Sequence, residues 1–301
     1  MKDFITIGYF ADGPWAHKAF EKLMQDETIH ISFICVRYDK RDKVLQELGE
    51  KNHIDVLYSP NVNSAEFIEK VKKYEADLFV SMSFNQIFKK ELIDLPPMKT
   101  INCHAGKLPY YRGRNILNWV LINDEKEFGI TVHYVDEGVD TGDIILQDIY
   151  PITDKDTYQT LLEKAYTGCS GILYRAVKLL QSGNVKIIKQ NDISAAGLYC
   201  GIRKENDEIL DWNQDSRSVF NFIRALTYPG PCACSFIEGR RIKMISAELV
   251  PGAPSYKGIP GQVLIKTKEF CLVKTKDSYI KITDYEGRIK TGDRMGMEKN
   301  G

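Results

Sequence analysis

The sequence predicts an α/β fold: a Rossmann-like, doubly wound, mostly parallel sheet, followed by a small β-rich, barrel-like C-terminal domain. Two observations carry this. Up to about residue 105, apolar runs of strand length alternate with helical segments of about ten residues, which is the pattern of βαβ units with helices on both faces of a sheet. Beyond about residue 200 the helices thin out and short strands recur between turns, as in an antiparallel barrel.

The elements follow in order. "DFITIGYF" (3–10) is a β-rich apolar run that ends in "ADGP". "WAHKAFEKLMQ" (15–25) has helical spacing, with Trp15, Ala19, Phe20 and Leu23 on one side. "ISFICV" (31–36) is a second strand, "KVLQELGEKN" (43–52) a helix, "IDVLYS" (54–59) a strand and "AEFIEKVKKYE" (65–75) a helix. "DLFVSMSF" (77–84) and "TINCHA" (100–105) are further buried strands. "GITVHYVD" (129–136) and "GDIILQDIYPI" (142–152) then alternate like a hairpin or a mixed edge, and a long helix runs over 157–183 to a closing glycine. The one later helix, "SRSVFNFIRALTYPG" (216–230), has Ser216 as its expected N-cap and "YPG" as its stop. "APSYKGIPG" (253–261) reads as a surface loop, and "GDRMGMEKNG" (292–301) as frayed. The expected organisation is a doubly wound α/β domain over 1–190, a linker over 191–205 and a β-rich domain over 206–301.

Bulk properties narrow the function. The chain has 301 residues, 43% of them hydrophobic, enough for a substantial core. Its 41 basic and 41 acidic side chains leave no net charge, unlike a protein that relies on a global field to hold nucleic acid. Seven cysteines, without a C-x-x-C pair, argue against a disulfide framework or a zinc site, so no metal is expected. No apolar run reaches the length of a membrane span, and the N-terminus opens directly on a strand without a signal peptide; a cytoplasmic protein without membrane contact is expected.

The chemistry gathers at "INCHAGKLPYYRGRN" (101–115). Asn102 and His104 stand near the carboxyl end of a predicted strand, where open parallel sheets bind ligands. "GITVHYVDEGVDTGDII" supplies Asp136, Glu137, Asp140 and Asp143 as partners for an imidazole. A carboxylate hydrogen-bonded to His104 would raise its basicity and fix its tautomer, and an amide beside it could donate to an oxyanion. These are the parts for moving an acyl group to an amine without a Ser or Cys nucleophile. No G-x-G-x-x-G fingerprint, Walker A run or G-x-S-x-G elbow is present.

Residues 101–147 resemble the signature of the folate-dependent formyltransferases. That family joins an N-x-H strand end and an L-P-x-Y-x-G loop to a downstream T-x-H-x(6)-D-x-G-x-I segment, here Thr131, His133, Asp140, Gly142 and Ile144. "YYRGRNILNWVLINDE", "RKENDEILDW" and "IRALTYPGP" are especially similar to the sugar-nucleotide N-formyltransferases, such as those acting on UDP-4-amino-4-deoxy-L-arabinose. The resemblance implies 10-formyltetrahydrofolate as formyl donor, no metal, and a UDP- or dTDP-linked amino sugar as acceptor, in the biosynthesis of surface polysaccharide. It implies a triad in which Asn102 binds the developing oxyanion, His104 takes the amine proton and Asp140 orients His104. It implies a folate slot formed by Phe84, Gln86, Ile87, Val135, Gly138 and Val139, and acceptor contacts from Tyr111, Arg112, Gly113 and Arg114. It also leaves two uses for the β-rich domain, closing a homodimer or shaping the acceptor pocket.

Several residues carry a plainer reading as well. His133, alternating with Thr131 and Val135, reads as structural, with a position along the folate slot as the other reading. Arg112 and Arg114 stand open between solvated loop charges and a phosphate clamp; Tyr110 and Tyr111 stand open between packing and substrate contact. Trp15 reads as a packing residue ahead of a nucleotide-stacking wall. The main rival function is methionyl-tRNA formyltransferase. Relatives of that kind carry a long basic insertion after the second strand, whereas here "RYDKRDKVLQEL" runs straight into a helix, which favours a small acceptor over nucleic acid. A formyltetrahydrofolate hydrolase, in which water replaces the amine, is a second rival, and a non-catalytic folate or nucleotide binder is a third.

Overall fold

A computed structural model describes residues 3–296. The chain begins with β1 (Ile5–Ala11), α1 (Gly13–Leu23), β2 (Ile29–Cys35), α2 (Lys43–Lys51), β3 (Asp55–Leu57), α3 (Ala65–Lys72), β4 (Leu78–Met82), α4 (Lys90–Ile93) and β5 (Thr100–His104). It continues through β6 (Arg112–Gly113), α5 (Ile116–Ile122), β7 (Glu127–Tyr134), β8 (Ile144–Pro151), α6 (Tyr158–Ser182), α7 (Gln190–Ile193) and β9 (Tyr199–Cys200). It ends with α8 (Ser216–Ala225), β10 (Ala233–Ile237), β11 (Arg240–Glu248), β12 (Val263–Lys266), β13 (Cys271–Lys274) and β14 (Tyr279–Glu286).

Seven strands form one sheet in the order β3-β2-β1-β4-β5-β7-β8. β3, β2, β1, β4 and β5 pair in parallel, and β7 runs antiparallel to β5. β1 is buried along nearly its whole length because both of its faces are covered, which is why it reads as a continuous apolar run. The helices are held at their starts: Asp42 accepts from the Leu45 amide and Ser64 from the Phe67 amide, each satisfying a donor that helix geometry leaves free. The order turns outward on both sides of the β1/β4 pair, so ligands are expected at the carboxyl ends of β1, β4 and β5.

The chain divides into two compact units. Of the described residues, one holds 3–113, 128–150 and 163–200; the other holds 114–127, 151–162 and 201–296. Thus 114–127, carrying α5, and 151–162 pack with the β-rich part. Asn118 of α5 donates to the Ala225 carbonyl of α8 at 2.7 Å, an anchor invisible in local sequence. Residues 191–200, expected as linker, carry most of α7 and all of β9 and belong to the first unit.

In the second unit, β10-β11-β14-β13-β12 form an antiparallel sheet, a half-barrel. Gly296 bridges Phe236 on one edge strand, and Arg294 bridges Gln262 beside the other. Residues 292–296, expected to fray, are therefore tied into this sheet, and 297–301 lie outside the described residues. α8 is capped by Asp215, which accepts from the Ser218 amide, and not by Ser216. The Ser216 hydroxyl instead lies 2.9 Å from Asp277, because the carboxylate one residue earlier already occupies the cap. Among the described residues no helix is long and apolar enough to cross a membrane, and no group of His, Cys, Asp or Glu is arranged to hold a metal ion.

Under the first sheet, Phe10 is fully buried and meets Phe33, Phe67, Phe79, Phe84 and Phe88 with ring centroids 4.8–6.3 Å apart. Removing a ring with that many partners loses its transfer energy and leaves a cavity. Phe10→Ala is expected to cost about 3–5 kcal/mol, read from the midpoint of urea unfolding. A cost below about 1 kcal/mol would show that this cluster does not hold the sheet.

Candidate active site

Asn102 and His104 leave β5 side by side with β7. The antiparallel register sets Asn102 opposite His133 and His104 opposite Thr131. This register explains the T-x-H pair. The Thr131 hydroxyl donates to the Gly106 carbonyl at 2.7 Å and accepts from the Gln147 amide at 2.8 Å, so it secures the loop that follows β5. His133 meets the Asn102 side chain on the same strand pair.

His104 lies 2.8 Å from the Tyr111 carbonyl through Nε2. A carbonyl only accepts, so Nε2 carries the proton and Nδ1 is the basic nitrogen of the neutral ring. Nδ1 lies 3.6 Å from Asp140 Oδ2, beyond hydrogen-bond length and within charge contact. The tautomer was expected to be set by a carboxylate; it is set by the backbone carbonyl, and Asp140 acts through its charge. Gly106 makes this possible, since a Cβ there would fall 2.4 Å from His104 Nε2 and 2.5 Å from the Tyr111 oxygen.

His133 follows the same pattern. Its Nδ1 donates to the Tyr134 carbonyl at 2.7 Å, and its Nε2 accepts from Asn102 Nδ2 at 3.2 Å. The same Nε2 stands 3.5 Å from Asp140 Oδ1. Its side chain is 3% exposed, against 10% for His104, so the purely structural reading gives way to a hydrogen-bonding part in the cluster.

Asp140 is the centre of the group. Its backbone is left-handed, with φ of 53°. Oδ2 accepts from the Gly113 amide at 2.8 Å and Oδ1 from Asn102 Nδ2 at 3.4 Å. Burial alone would push this carboxyl up. The charge of His104, the hydrogen bond and charge of His133 and the Gly113 amide outweigh burial and hold it well below the usual carboxylate range. Gly113 must approach closely: a Cβ at its φ of 97° would fall 2.3 Å from the Cys200 carbonyl oxygen.

The remaining predicted residues divide. Tyr111 is buried and contributes its carbonyl, while Arg114 is exposed. Arg112 directs Nε and Nη2 to Gln190 Oε1, at 3.1 and 2.7 Å. Phe84 and Val135 pack against one apolar cluster. Gln86 joins the Val62 amide and the Ser59 carbonyl, and Gly138 donates to Asp136. Ile87 and Val139 are exposed, at 69% and 43%. Near Ile87, Asn85 Oδ1 is a buried acceptor without a partner. Trp15 packs edge-on against Tyr166 at 4.6 Å, the packing reading. A separate cleft of about 410 Å³, lined by Asp148, Tyr150 and Arg175 among others, contains none of these residues. Gln190 is the candidate that sequence reasoning missed, and His133, read there as structural or lining the folate slot, joins the cluster through Asn102. For His133 a signal existed, since Thr131 and His133 recur at fixed spacing ahead of Asp140.

With this geometry in place, known proteins supply the family. Residues 14–177 match the formyl transferase family and residues 202–299 its C-terminal domain. The chain is 34% identical over 233 residues to methionyl-tRNA formyltransferase of Syntrophus aciditrophicus, covering 77% of this chain and 73% of that protein. Among solved structures, it resembles a sugar 3N-formyl transferase solved with dTDP and 5-N-formyl-THF, at 20% identity and a TM-score of 0.70, covering 96% of this chain and all (100%) of that one. It also resembles the N-formyltransferase of Helicobacter canadensis solved with folinic acid and dTDP-3-aminofucose, at 22% identity and a TM-score of 0.68, covering 94% and 100%. The chain belongs to the formyl transferase family.

The depressed Asp140 carboxyl makes a prediction about stability. Its ionised form is favoured by folding, so its contribution is complete above the unfolded value of about 3.9 and is lost as pH falls toward the lower folded value. The stability of wild type minus that of Asp140→Asn is expected to shrink as urea unfolding is repeated from about pH 5 down to about pH 2. A difference that stays flat would show that Asp140 gains no ionisation from the fold.

Proposed function

We propose that this chain transfers the formyl group of 10-formyltetrahydrofolate to the amine of a nucleotide-linked amino sugar carried on UDP or dTDP. The donor supplies an electrophilic formyl carbon, which the acceptor amine attacks directly. His104 Nδ1, left basic by the Tyr111 carbonyl, takes the amine proton as the C–N bond forms. Asp140, 3.6 Å away, stabilises the imidazolium so formed. Nδ1 then returns the proton to the departing donor nitrogen. Asn102 keeps one amide hydrogen on His133 and turns the other, whose contact with Asp140 is long at 3.4 Å, to the charge developing on the formyl oxygen. His104 serves as the base in preference to His133 because His133 is almost sealed from an incoming amine.

The donor's ring lies against Phe84, Gln86, Ile87, Val135, Gly138 and Val139, with Ile87 and Val139 as exposed apolar walls. Arg114, exposed, is the cation offered to the acceptor's diphosphate, beside Tyr111, Arg112 and Gly113. The observation that carries the choice of acceptor is the connection between β2 and α2, residues 36–42, which leaves no room for a long basic insertion that grips tRNA. Likeness to solved sugar formyltransferases over nearly the whole chain supports the same reading. Methionyl-tRNA is the second reading, favoured by the 34% identity to a methionyl-tRNA formyltransferase.

The test is release of tetrahydrofolate from 10-formyltetrahydrofolate with a panel of UDP- and dTDP-amino sugars and a methionyl-tRNA arm. Turnover with an amino sugar and none with methionyl-tRNA is expected; the reverse overturns the choice of acceptor, and turnover without any amine marks a hydrolase. His104→Ala is expected to lower kcat by about 10²–10⁴-fold with donor binding retained. A near wild-type rate would remove His104 from the mechanism.

A further inference from the structure

The chain that leaves α6 does not pass directly to the second unit. Ile188 first pairs with Ile144 at the start of β8, through hydrogen bonds of 2.8 and 2.9 Å. Two residues later it delivers Gln190, which is 3% exposed, to the loop that carries Asp140. Gln190 Nε2 donates to the Asp140 carbonyl at 2.8 Å and to the Gly142 carbonyl at 2.7 Å. Gln190 Oε1 accepts from Arg112 Nε and Nη2. Both hydrogens and both lone pairs of this buried amide are therefore engaged.

The segment then folds back over Arg112. A Cβ at Gly197 would fall 2.3 Å from the Arg112 guanidinium, so a side chain there would have to push the guanidinium aside. Leu198 donates to the Pro109 carbonyl and accepts from the Arg112 amide, and β9 pairs with β6 at Arg112 and Gly113. Gly113 in turn donates to Asp140 Oδ2. The contacts close a ring: Asp140 carbonyl, Gln190, Arg112, Gly113, Asp140 carboxylate. Asp140 is held at both its backbone and its side chain by one hydrogen-bonded circuit.

We propose that Gln190 is a positioning residue, which sets the Asp140 carboxylate against His104 by closing this circuit through Arg112 and Gly113. The proposal deepens the reading of Asp140 given above and rests on it. A left-handed aspartate persists only where its surroundings over-determine it, and Gln190 supplies two of the bonds that do so. Arg112 on this account is part of the frame that aims Asp140.

Two variants test this in the full chain. Gln190→Ala removes every bond of the amide. Gln190→Glu keeps the bulk and the partner for Arg112 but turns an acceptor toward the carbonyls of Asp140 and Gly142. Both are expected to lower kcat by about ten- to a hundredfold, with KM for the donor within about twofold, because misplacement of about 1 Å has that scale of effect. Withdrawing the carboxylate removes the charge that stabilises the imidazolium, so in a His104→Ala background neither Gln190 variant is expected to lower kcat further. A purely structural role would reduce the folded fraction and leave kcat per folded molecule in place, which overturns the proposal. Wild-type behaviour of both Gln190 variants beside a crippled Asp140→Asn also overturns it. Wild-type activity of Asp140→Asn would instead overturn the catalytic reading on which it rests.

Discussion

A carboxylate withdrawn from water must be met by donors and positive charge, or it will not stay ionised. Asp140 is that carboxylate, and much of the first unit is arranged around it. The Gly113 amide, Asn102 Nδ2 and two imidazoles converge on its two oxygens. Their convergence depends on the reversal of strand direction between β5 and β7. Only that register sets Asn102 directly across from His133 and brings the β7–β8 loop back over the end of β5. Gly142 belongs to the same constraint, because a Cβ there would fall 1.9 Å from the Tyr134 carbonyl oxygen as the chain turns into β8.

Backbone carbonyls divide the labour between the two histidines. The Tyr111 and Tyr134 carbonyls each take a ring N–H, and each ring is left with its basic nitrogen toward Asp140. The rings differ in access and in what already occupies that nitrogen. Asn102 donates to His133, whereas no such donor meets His104 Nδ1 among the described hydrogen bonds. One imidazole is thus suited to accept a proton from outside and the other to hold an amide in place. The same dipeptide spacing, N-x-H on one strand and T-x-H on its neighbour, yields unlike roles because the strands run in opposite directions.

The alternation of strands and helices was legible because burial on both sheet faces writes itself as continuous apolar runs such as "ITIGYFA". Asn102 and His104 were legible from a strand end, whereas Asp140 stood out from Asp136, Glu137 and Asp143 only through the resemblance to the formyltransferase signature. Gln190 left no local trace: a polar residue in a four-residue helix becomes structural only through the carbonyls of Asp140 and Gly142, some fifty residues earlier. α5 was hidden for a similar reason, since its anchor is Asn118 on the far-off Ala225 carbonyl. The cap of α8 shows a finer limit. Asp215 and Ser216 both suit the position; Asp215 takes it, and Ser216 is left to meet Asp277.

The central claim is that Asp140 acts through His104 and has no separate part in formyl transfer. Single-turnover rates of His104→Ala, Asp140→Asn and the double variant measure this coupling directly. If the two form one unit, the double variant is no slower than His104→Ala alone, because the carboxylate has nothing left to act on. If the two losses multiply, Asp140 contributes independently of the imidazole, and the mechanism drawn from this geometry is wrong.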